Sequence, residues 1–514
     1  MRTNAVIRSD FFSGSGVGHL KRSSVLARAL EQRGIRVTMI LDTQPLSFNW
    51  VKDLNIEIFN STSFSESEDA TKIILYSKAN DINLVIVDSY RITVDWIEKV
   101  RLAGLRVLAI DDLNTLDNAN LRVNYSPLAQ SLPNCSQELL GPSYFLTDTK
   151  RIDKRSTLKP ESVIFHAGGN GDFSSNEHTI QCLLSEARES QLSVTWLIAN
   201  YKSKIWLENK KLIDDLDTLL EWNFNEPIRW GDYDIVVGPA STSLYEAIMQ
   251  GSLPISFTLS PSQNDDRLCW LSLGHALHIT NRESQDAACV KGTFINAIKH
   301  YCILMKWLRI YSHELDGLGV HRIVDILLQK PLTSSTPSSS MPDSQTTSVL
   351  KCSFTDAAEF LHARNAEFVR SMSTSNREIT WSEHVNWWLT GNVERFTILK
   401  DSKKRAFFWH KSKVLDVKKF LIGGWFPVYN QLNFDIAIRL LEWQLDYCST
   451  KYDDHLWVAT INPLNKAVIV LNKRFGFKEA SANTRTYLND LFPGTPDDFV
   501  ALERPAILCT NTYE

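Results

Sequence analysis

Short apolar runs alternate with helical patterns along the first part of the chain, and that alternation leaves few folds open. "AVIRSD" (5–10) reads as a strand, "HLKRSSVLARALEQRG" (19–34) as a helix closed by Gly34, and "IRVTMILD" (35–42) as a second strand. Further strands end in "NLVIVD" (83–88) and "RVLAIDD" (106–112). The pattern starts again at "ESVIFHAGGN" (161–170), runs through "SVTWLIAN" (193–200) and "DYDIVVG" (232–238), and closes in helices. Apolar strands separated by helices belong to a parallel sheet covered on both faces. Two such series predict an α/β architecture: two Rossmann-like domains facing a cleft that holds a ligand.

With 514 residues the chain is too long for one core. It divides at "KPLTSSTPSSSMPDSQTTS" (330–348), a Ser/Thr/Pro-rich stretch almost without apolar residues. Such a stretch cannot repay the entropy of folding and reads as a flexible linker over 330–350. The expected divisions are therefore an N-terminal Rossmann-like domain (1–155), a second, nucleotide-binding one (156–329) and a C-terminal domain (351–514). In that last part the order changes. Helical patterns ("DAAEFLHARNAEFVRSM", "SEHVNWWLTG") precede the strands "RFTILK", "RAFFWHK" and "KFLIGGWF". A helix ("FDIAIRLLEWQLDYC"), a strand ("HLWVATI") and a final helix into "NKRFGF" follow, which describes a separate α+β domain.

A hydrophobic share of 43% and a charged share of 22% fit a soluble globular protein. The formal charge of −4 supplies no electrostatic reason for a nucleic-acid or anionic-membrane partner. The N-terminus "MRTNAVIRSD" lacks the apolar core of a signal peptide, and no uncharged apolar stretch approaches the length of a membrane span. Eight single cysteines without a CxxC pair argue against a zinc site or a disulfide framework and point to a reducing cytoplasm. The oligomeric state is not legible.

The chemistry sits in the loops. In "SGSGVGHLKR" the glycines between a strand and a helix let a ligand approach the backbone, and the helix start offers free N–H groups. The spacing G-x-G-x-G-H does not match the dinucleotide fingerprint G-x-G-x-x-G. His19 stands where the helix dipole disfavours imidazolium, so the ring is either a neutral base or a solvated first-turn residue. The second series supplies a matching half. "FHAGGNGD" places Gly168 and Gly169 past a strand, and "GPASTSLYEAIMQG" places Ser241, Thr242 and Ser243 at a helix start. Those hydroxyls suit a pyrophosphate or serve as ordinary N-caps. Glu246 could bind a ribose diol or close a capping box with Ser243. Gln263 and Asn264, in "LSPSQND", lie at the same strand-end face.

"IRSDFFSGSGVGHLKR", "LVIVDSY", "LAIDDL", "FHAGGN", "GPASTSLYEA" and "PSQN" stand in an order that resembles the UDP-2,4-diacetamido-2,4,6-trideoxy-β-L-altropyranose hydrolases. These are GT-B-like enzymes of pseudaminic acid biosynthesis, similar in fold to the peptidoglycan UDP-N-acetylglucosamine transferase. The resemblance covers residues 5–325. Its most specific element is R-x-D…G-x-G-H-x-x-R, here Arg8, Asp10, Gly16, Gly18, His19 and Arg22. It implies that His19 activates the water that attacks the sugar C1, that Asp10 orients the base or the water, and that UDP is released. Nucleotide-sugar binding would fall to Gly16, Gly18, Arg22, Gly168, Gly169, Asn170, Ser241, Thr242, Ser243, Glu246, Gln263 and Asn264. Two departures bear on the exact sugar. The family's GG-S/T-D appears as Gly168-Gly169-Asn170-Gly171-Asp172, and its Asn-Gln pair is reversed as Gln263-Asn264. A glycosyltransferase on the same fold, or a nucleotide-sugar binding protein without turnover, are the alternatives.

Hydrolysis of this kind is expected to need no cofactor and no metal, since helix N-termini can stabilise the departing diphosphate. No H-x-x-x-H motif or clear DxD loop is present, and Asp111-Asp112 reads as a strand-to-helix turn before a metal site.

Residues 351–514 resemble the GNAT N-acetyltransferases, especially those acting on amino sugars of the same pathway. "ARNAEFVRSMSTSNREITWSEHVNWW" carries the first part of the likeness, with Arg364, Asn365, Arg370, Glu383 and His384. "INPLNKAVIVLNKRFGFKEA" carries the second, with Asn465, Gly476 and Phe477. The resemblance implies acetyl-CoA as a possible cofactor of this domain. It also exposes two gaps. "WFPVYNQLNFDIAIRLL" has no glycine after Gly424 for the pyrophosphate turn, and the family's Tyr acid falls at Asn472, an amide that cannot protonate a thiolate. Glu383 and His384 read as a base pair or as helix surface. Trp381, Trp387, Trp388 and Trp425 read as core before a sugar platform. An acetyltransferase or a non-catalytic sugar-binding or docking domain both remain open here.

Overall fold

The computed structural model describes residues 4–507 apart from 13–14, 16, 46–47, 49–50, 60–63, 153–157, 169–175, 199–200, 214–215, 223–227, 259–266, 329–346 and 429–433. It forms two compact units, residues 1–335 and 336–514.

In the first unit, β1 (Asn4–Ser9), β2 (Arg36–Leu41), β3 (Asn55–Ile58), β4 (Leu84–Asp88), β5 (Arg106–Ile110), β6 (Leu121–Asn124) and β7 (Glu138–Leu140) make one sheet. Their order is β3-β2-β1-β4-β5-β6-β7, with every pairing parallel. A second sheet follows, from β8 (Ser162–His166), β9 (Ser193–Ile198), β10 (Thr218–Glu221), β11 (Ile235–Pro239), β12 (Leu253–Phe257) and β13 (His278–Ile279). Its order is β10-β9-β8-β11-β12-β13, again parallel throughout. The apolar runs read from sequence coincide with β1, β2, β4, β5, β8, β9 and β11. All five residues of β4 are buried, as a strand covered on both faces requires.

Both sheets are doubly wound, and in each the strand order reverses beside the first strand. The chain leaves β1 and β8 toward one side and returns through β4 and β11 on the other, opening a crevice at the strand ends. The first helix (Gly18–Gln32) starts at the first of these points. It ends at Gly34, whose φ of +81° and N–H to Glu31 O close the last turn.

One boundary needs correction. The Gly319–Leu328 helix, expected within the second domain (156–329), packs against the first. Arg33 pairs with Asp325 at 2.6 Å, and a Cβ on Gly319 would stand 2.4 Å from Phe145 O. Val320, Ile323, Val324 and Leu327 form the buried stripe that brings it back. The first unit is thus a GT-B-like pair of Rossmann-like domains with the last helix returned to the first lobe.

The second unit is α+β. Its sheet contains β14 (Thr347–Lys351), β15 (Val393–Lys400), β16 (Lys403–Leu415), β17 (Lys418–Pro427), β18 (Leu456–Ile461), β19 (Lys478–Glu479) and β20 (Val500–Pro505). The order is β14-β15-β16-β17-β18-β20-β19. Only β17 and β18 pair in parallel, over Phe420↔Leu456 and Leu421↔Trp457. The linker expected over 330–350 is shortened at its end. Residues 347–350 belong to β14, where Val349 and Leu350 pair with Ile398 and Thr397, and 330–346 lie outside the described residues. The Phe434–Lys451 helix buries Ile436, Leu440, Leu441 and Leu445 against this sheet.

Candidate functional site

The parallel pairing of β1 with β4 sets Ser9 beside Asp88, the last residue of its strand. The first helix begins a few residues beyond β1, so its first turn faces the end of β4. There His19 Nδ1 lies 2.6 Å from Asp88 Oδ1. One turn on, the buried Arg22 reaches the same carboxylate through Nε (2.8 Å to Oδ2) and Nη2 (2.5 Å to Oδ1). Its Nη1 continues to Asp112 Oδ2 at 2.8 Å and to the Tyr125 hydroxyl.

These contacts decide the tautomer of His19. Arg22 Nη2 is also 3.0 Å from Nδ1, but it is a donor and cannot donate to a protonated ring nitrogen. Asp88 is an acceptor only, so Nδ1 carries the hydrogen and both donors converge on the carboxylate. Nε2 is left with its lone pair and no partner among the described residues. This is the arrangement of a general base held by a carboxylate. Burial opposes ionisation of Asp88, but Arg22 and His19 outweigh it and hold the carboxyl well below its ordinary range. Tyr90 stands edge-on to the imidazole, with centroids 4.4 Å apart, and donates to Asp112 Oδ2 at 3.0 Å.

Asp10 does not take the place expected for it. Arg91 binds it at 2.6 Å through Nη2, and the Tyr90 N–H donates to it at 3.1 Å. Arg91 joins it to Asp42, which in turn pairs with Arg8. The carboxylate in contact with His19 is Asp88, and the expectation that Asp10 orients the imidazole is corrected accordingly. Arg22 is likewise not open to a ligand: its guanidinium is buried on Asp88 and Asp112. Asp88 had a sequence signal, the acidic end of "LVIVD" beside "SY", but only the sheet pairing shows that it meets His19. Asp111 accepts from Thr115 N and Leu116 N at 2.9 Å each and binds Arg122 Nε at 2.9 Å, as a turn residue does.

At the second switch point Gly168 has φ +65°, and a Cβ there would stand 3.3 Å from Pro239. Its N–H donates to His166 Nδ1 at 3.2 Å. Burial pushes that imidazole down to about 4, so it is a neutral acceptor. The Thr242–Met249 helix starts at Ser241, with Ser241 and Ser243 hydroxyls 2.8 Å apart. The Ser241 side chain does not cap this helix, and the capping box with Glu246 does not form among the described residues. Glu246 instead receives Lys21 Nζ from the first lobe at 2.5 Å, with Thr147 Oγ1 at 3.3 Å and Trp230 Nε1 at 3.4 Å. Gly18 is the first residue of its helix, with open space at its Cβ position. Gly16, Gly169, Asn170, Gln263 and Asn264 lie outside the described residues.

In the second unit, Glu383 forms a capping box with Thr380 and is bound by Arg377 at 2.8 Å, which holds its carboxyl down at about 2. His384 is buried, with Nε2 3.0 Å from Ala357 O. The two are not a base pair. Trp381 and Trp388 are buried, and Trp387 and Trp388 enclose the Arg395 guanidinium at 4.3 and 4.7 Å, so this aromatic run is core. Asn465 caps the Lys466–Arg474 helix, and Asn472 Nδ2 donates to Val468 O at 2.8 Å. Of the stretch "WFPVYNQLNFDIAIRLL" (425–441), which the resemblance aligns with the pyrophosphate turn, residues 429–433 lie outside the described residues.

Together the two switch-point crevices define a GT-B-like architecture with a histidine–aspartate dyad in its first lobe. No protein-family model matches the chain, and no curated protein matches it. Among solved structures, MurG of Acinetobacter baumannii aligns over 63% of this chain and 99% of its own, with 13% identity and a TM-score of 0.47. A co-structure of S. aureus MnaA with UDP covers 64% and 96%, at 12% identity and 0.43. An N-acetyltransferase from Staphylococcus aureus Mu50 covers 32% and 99%, at 17% identity and 0.26. The class rests on the strand orders, not on these alignments. No helix among the described residues is long and apolar enough to cross a membrane.

Proposed function

We propose that the first unit is a nucleotide-sugar hydrolase that releases UDP from a UDP-diacetamido-trideoxy sugar, in nonulosonic (pseudaminic-type) acid biosynthesis. The observation that carries this reading is the His19–Asp88 contact at the first switch point, with Nε2 left without a partner among the described residues. The sugar class and pathway come from the motif resemblance. In this mechanism Nε2 takes a proton from water as the oxygen attacks C1. The C1–O bond to the diphosphate breaks, and the electron pair leaves with UDP. Asp88 stabilises the imidazolium so formed, which then returns its proton to solvent. Ser241, Thr242 and Ser243 and the helix start behind them receive the diphosphate charge.

The same base would equally deprotonate a sugar hydroxyl, which is the chemistry of a transferase. Incubation with the diacetamido UDP-sugar alone separates the two. UDP release without acceptor supports hydrolysis; release only with an added acceptor assigns a glycosyltransferase; binding without release assigns a binding protein.

For the second unit we propose ligand binding or docking without acetyl transfer. Asn472 stands where the resemblance places the acid, and its amide is engaged within its own helix. An amide cannot protonate a departing thiolate.

A further inference from the structure

The basic groups around the first switch point are already matched, and one of them is matched across the lobes. Arg22 is held by Asp88 and Asp112, Arg91 by Asp10 and Asp42, and Arg8 by Asp42 and Asp69. Each of these guanidinium groups binds two carboxylates of its own lobe. Lys21 differs. Its ion pair is with Glu246, on the other lobe, while Asp148 of its own lobe adds a further attraction; its side chain is 33% exposed, against 1%, 5% and 23% for the three arginines.

Helix geometry shows what surrounds this contact. Glu246 follows Thr242 by four residues and Ser243 by three, so all three share one face of their helix. Lys21 follows Gly18 by three on its own helix, and nothing stands within 4 Å of the Gly18 Cβ position. Glu246, which holds the Lys21 ammonium, stands about 6 Å along the axis from Thr242 at a rise of about 1.5 Å per residue. A lysine stem can pivot across that distance. A ribose diol docking on Glu246 brings two O–H donors to the oxygen that Lys21 now occupies. Thr147 and Trp230 keep the carboxylate in place meanwhile.

We infer that Lys21 is the first lobe's contact to the diphosphate, delivered by exchange: a nucleoside diphosphate takes Glu246 through its ribose, and the released ammonium pairs with its phosphates. The inference rests on the reading of this unit as a nucleotide-sugar enzyme. It extends that reading to a residue of the first lobe, and it couples ribose recognition to phosphate recognition.

The test uses the full chain with UDP and uridine as probes, by calorimetry and ligand-observed NMR respectively. Lys21→Met keeps the stem and removes the charge. It should weaken UDP about ten-fold or more, the size of one charge-assisted hydrogen bond, and leave uridine unchanged or tighter. Lys21→Arg should retain most of the UDP affinity. If Lys21 only latches the lobes, Lys21→Met will tighten UDP and uridine alike, and the inference is overturned. Equal UDP affinity in wild type and Lys21→Met overturns it too. A wild-type protein that binds no UDP sinks the nucleotide-sugar reading itself, and this inference with it.

Discussion

His19 and Asp88 are 69 positions apart in sequence, yet the imidazole Nδ1 and the carboxylate Oδ1 meet at 2.6 Å. Two strands bring them together. β1 delivers the chain to the first helix, and β4, its parallel neighbour, ends on Asp88. Arg22 also binds the carboxylate, so the imidazole, the carboxylate it meets and the counter-charge come from one helix turn and one strand end.

Replacing His19 by Asn removes the base and keeps a polar group of similar size. UDP release should fall by about two to four orders of magnitude, the usual contribution of a general base. UDP binding, followed by calorimetry, should persist, because His19 is assigned to the water and not to the nucleotide. Near-wild-type turnover would move the search for a base elsewhere.

Asp88→Asn tests the orienting group. An amide there can donate to Nδ1, which favours the tautomer with the hydrogen on Nε2 and disables the base. A fall in kcat on the order of 10³–10⁴ is expected, with KM little changed. Arg22 would keep Asp112 but lose its main partner, so thermal stability should drop as well. A variant that loses stability yet keeps full kcat would leave Asp88 a purely structural role.

Much of the fold was legible because buried parallel strands are apolar along most of their length, as β4 is from Leu84 to Val87. β6 escaped that pattern: "LRVN" contains Arg122 and Asn124, both buried, with Arg122 neutralised by Asp111 and Glu138. β14 was hidden by composition, since "TSVLK" continues a Ser/Thr-rich stretch and acquires strand structure only by pairing with β15. His19 could be singled out from its loop, a local signal. Its partner could not, because that contact is set by sheet register. Asp10, close in sequence, was the natural candidate, but Arg91 holds it. Glu246 was read toward ribose or a cap, and the cross-lobe lysine was invisible without the fold.

Gly238 lies on β11 directly beside His166. A Cβ at this position would fall 2.0 Å from His166 Nε2 and 2.4 Å from Cδ2, against a buried ring whose Nδ1 accepts from the Gly168 N–H. Gly238→Ala should therefore destabilise the first unit by about 1–3 kcal/mol or more, read as a lowered melting temperature. The double variant with His166→Ala should recover part of the loss. Additive losses in the double variant would contradict this contact.

The acetyltransferase resemblance of the second unit makes its own test. Full-length protein mixed with acetyl-CoA and a 4-amino-sugar nucleotide should release no free thiol above background, because position 472 offers an amide in place of an acid. Calorimetry with acetyl-CoA separates a binding domain from one that has lost the cofactor. Robust thiol release, with acetylated sugar recovered, would show that another group protonates the thiolate.

Two buried imidazoles give each unit an acid-sensitive element. Burial pushes His166 in the first unit down to about 4. It does the same to His410 in the second, against the opposing pull of Glu394, 3.7 Å away. In the unfolded chain both take a proton near the ordinary value of about 6.5. Between these limits the unfolded state binds more protons, so stability rises with pH in this window. The contribution is complete above about 6.5 and is lost as pH falls toward 4, at up to about 1.4 kcal/mol per pH unit for each imidazole; His275, which burial also pushes well below its ordinary value, adds to the loss in the first unit. Glu394 extends the loss in the second unit. Burial opposes its charge, but Lys451, Tyr452 and Tyr447 outweigh it and hold the carboxyl down at about 2, so its stabilisation disappears from about 4.5 downward. Melting profiles at steps between pH 7.5 and 4.5 should show both transitions moving to lower temperature. His410→Gln should flatten the dependence of the second unit's transition between 6.5 and 4.5 while leaving that of the first. A second-unit transition that keeps its full pH dependence in that variant would show that other groups, not His410, take up the proton.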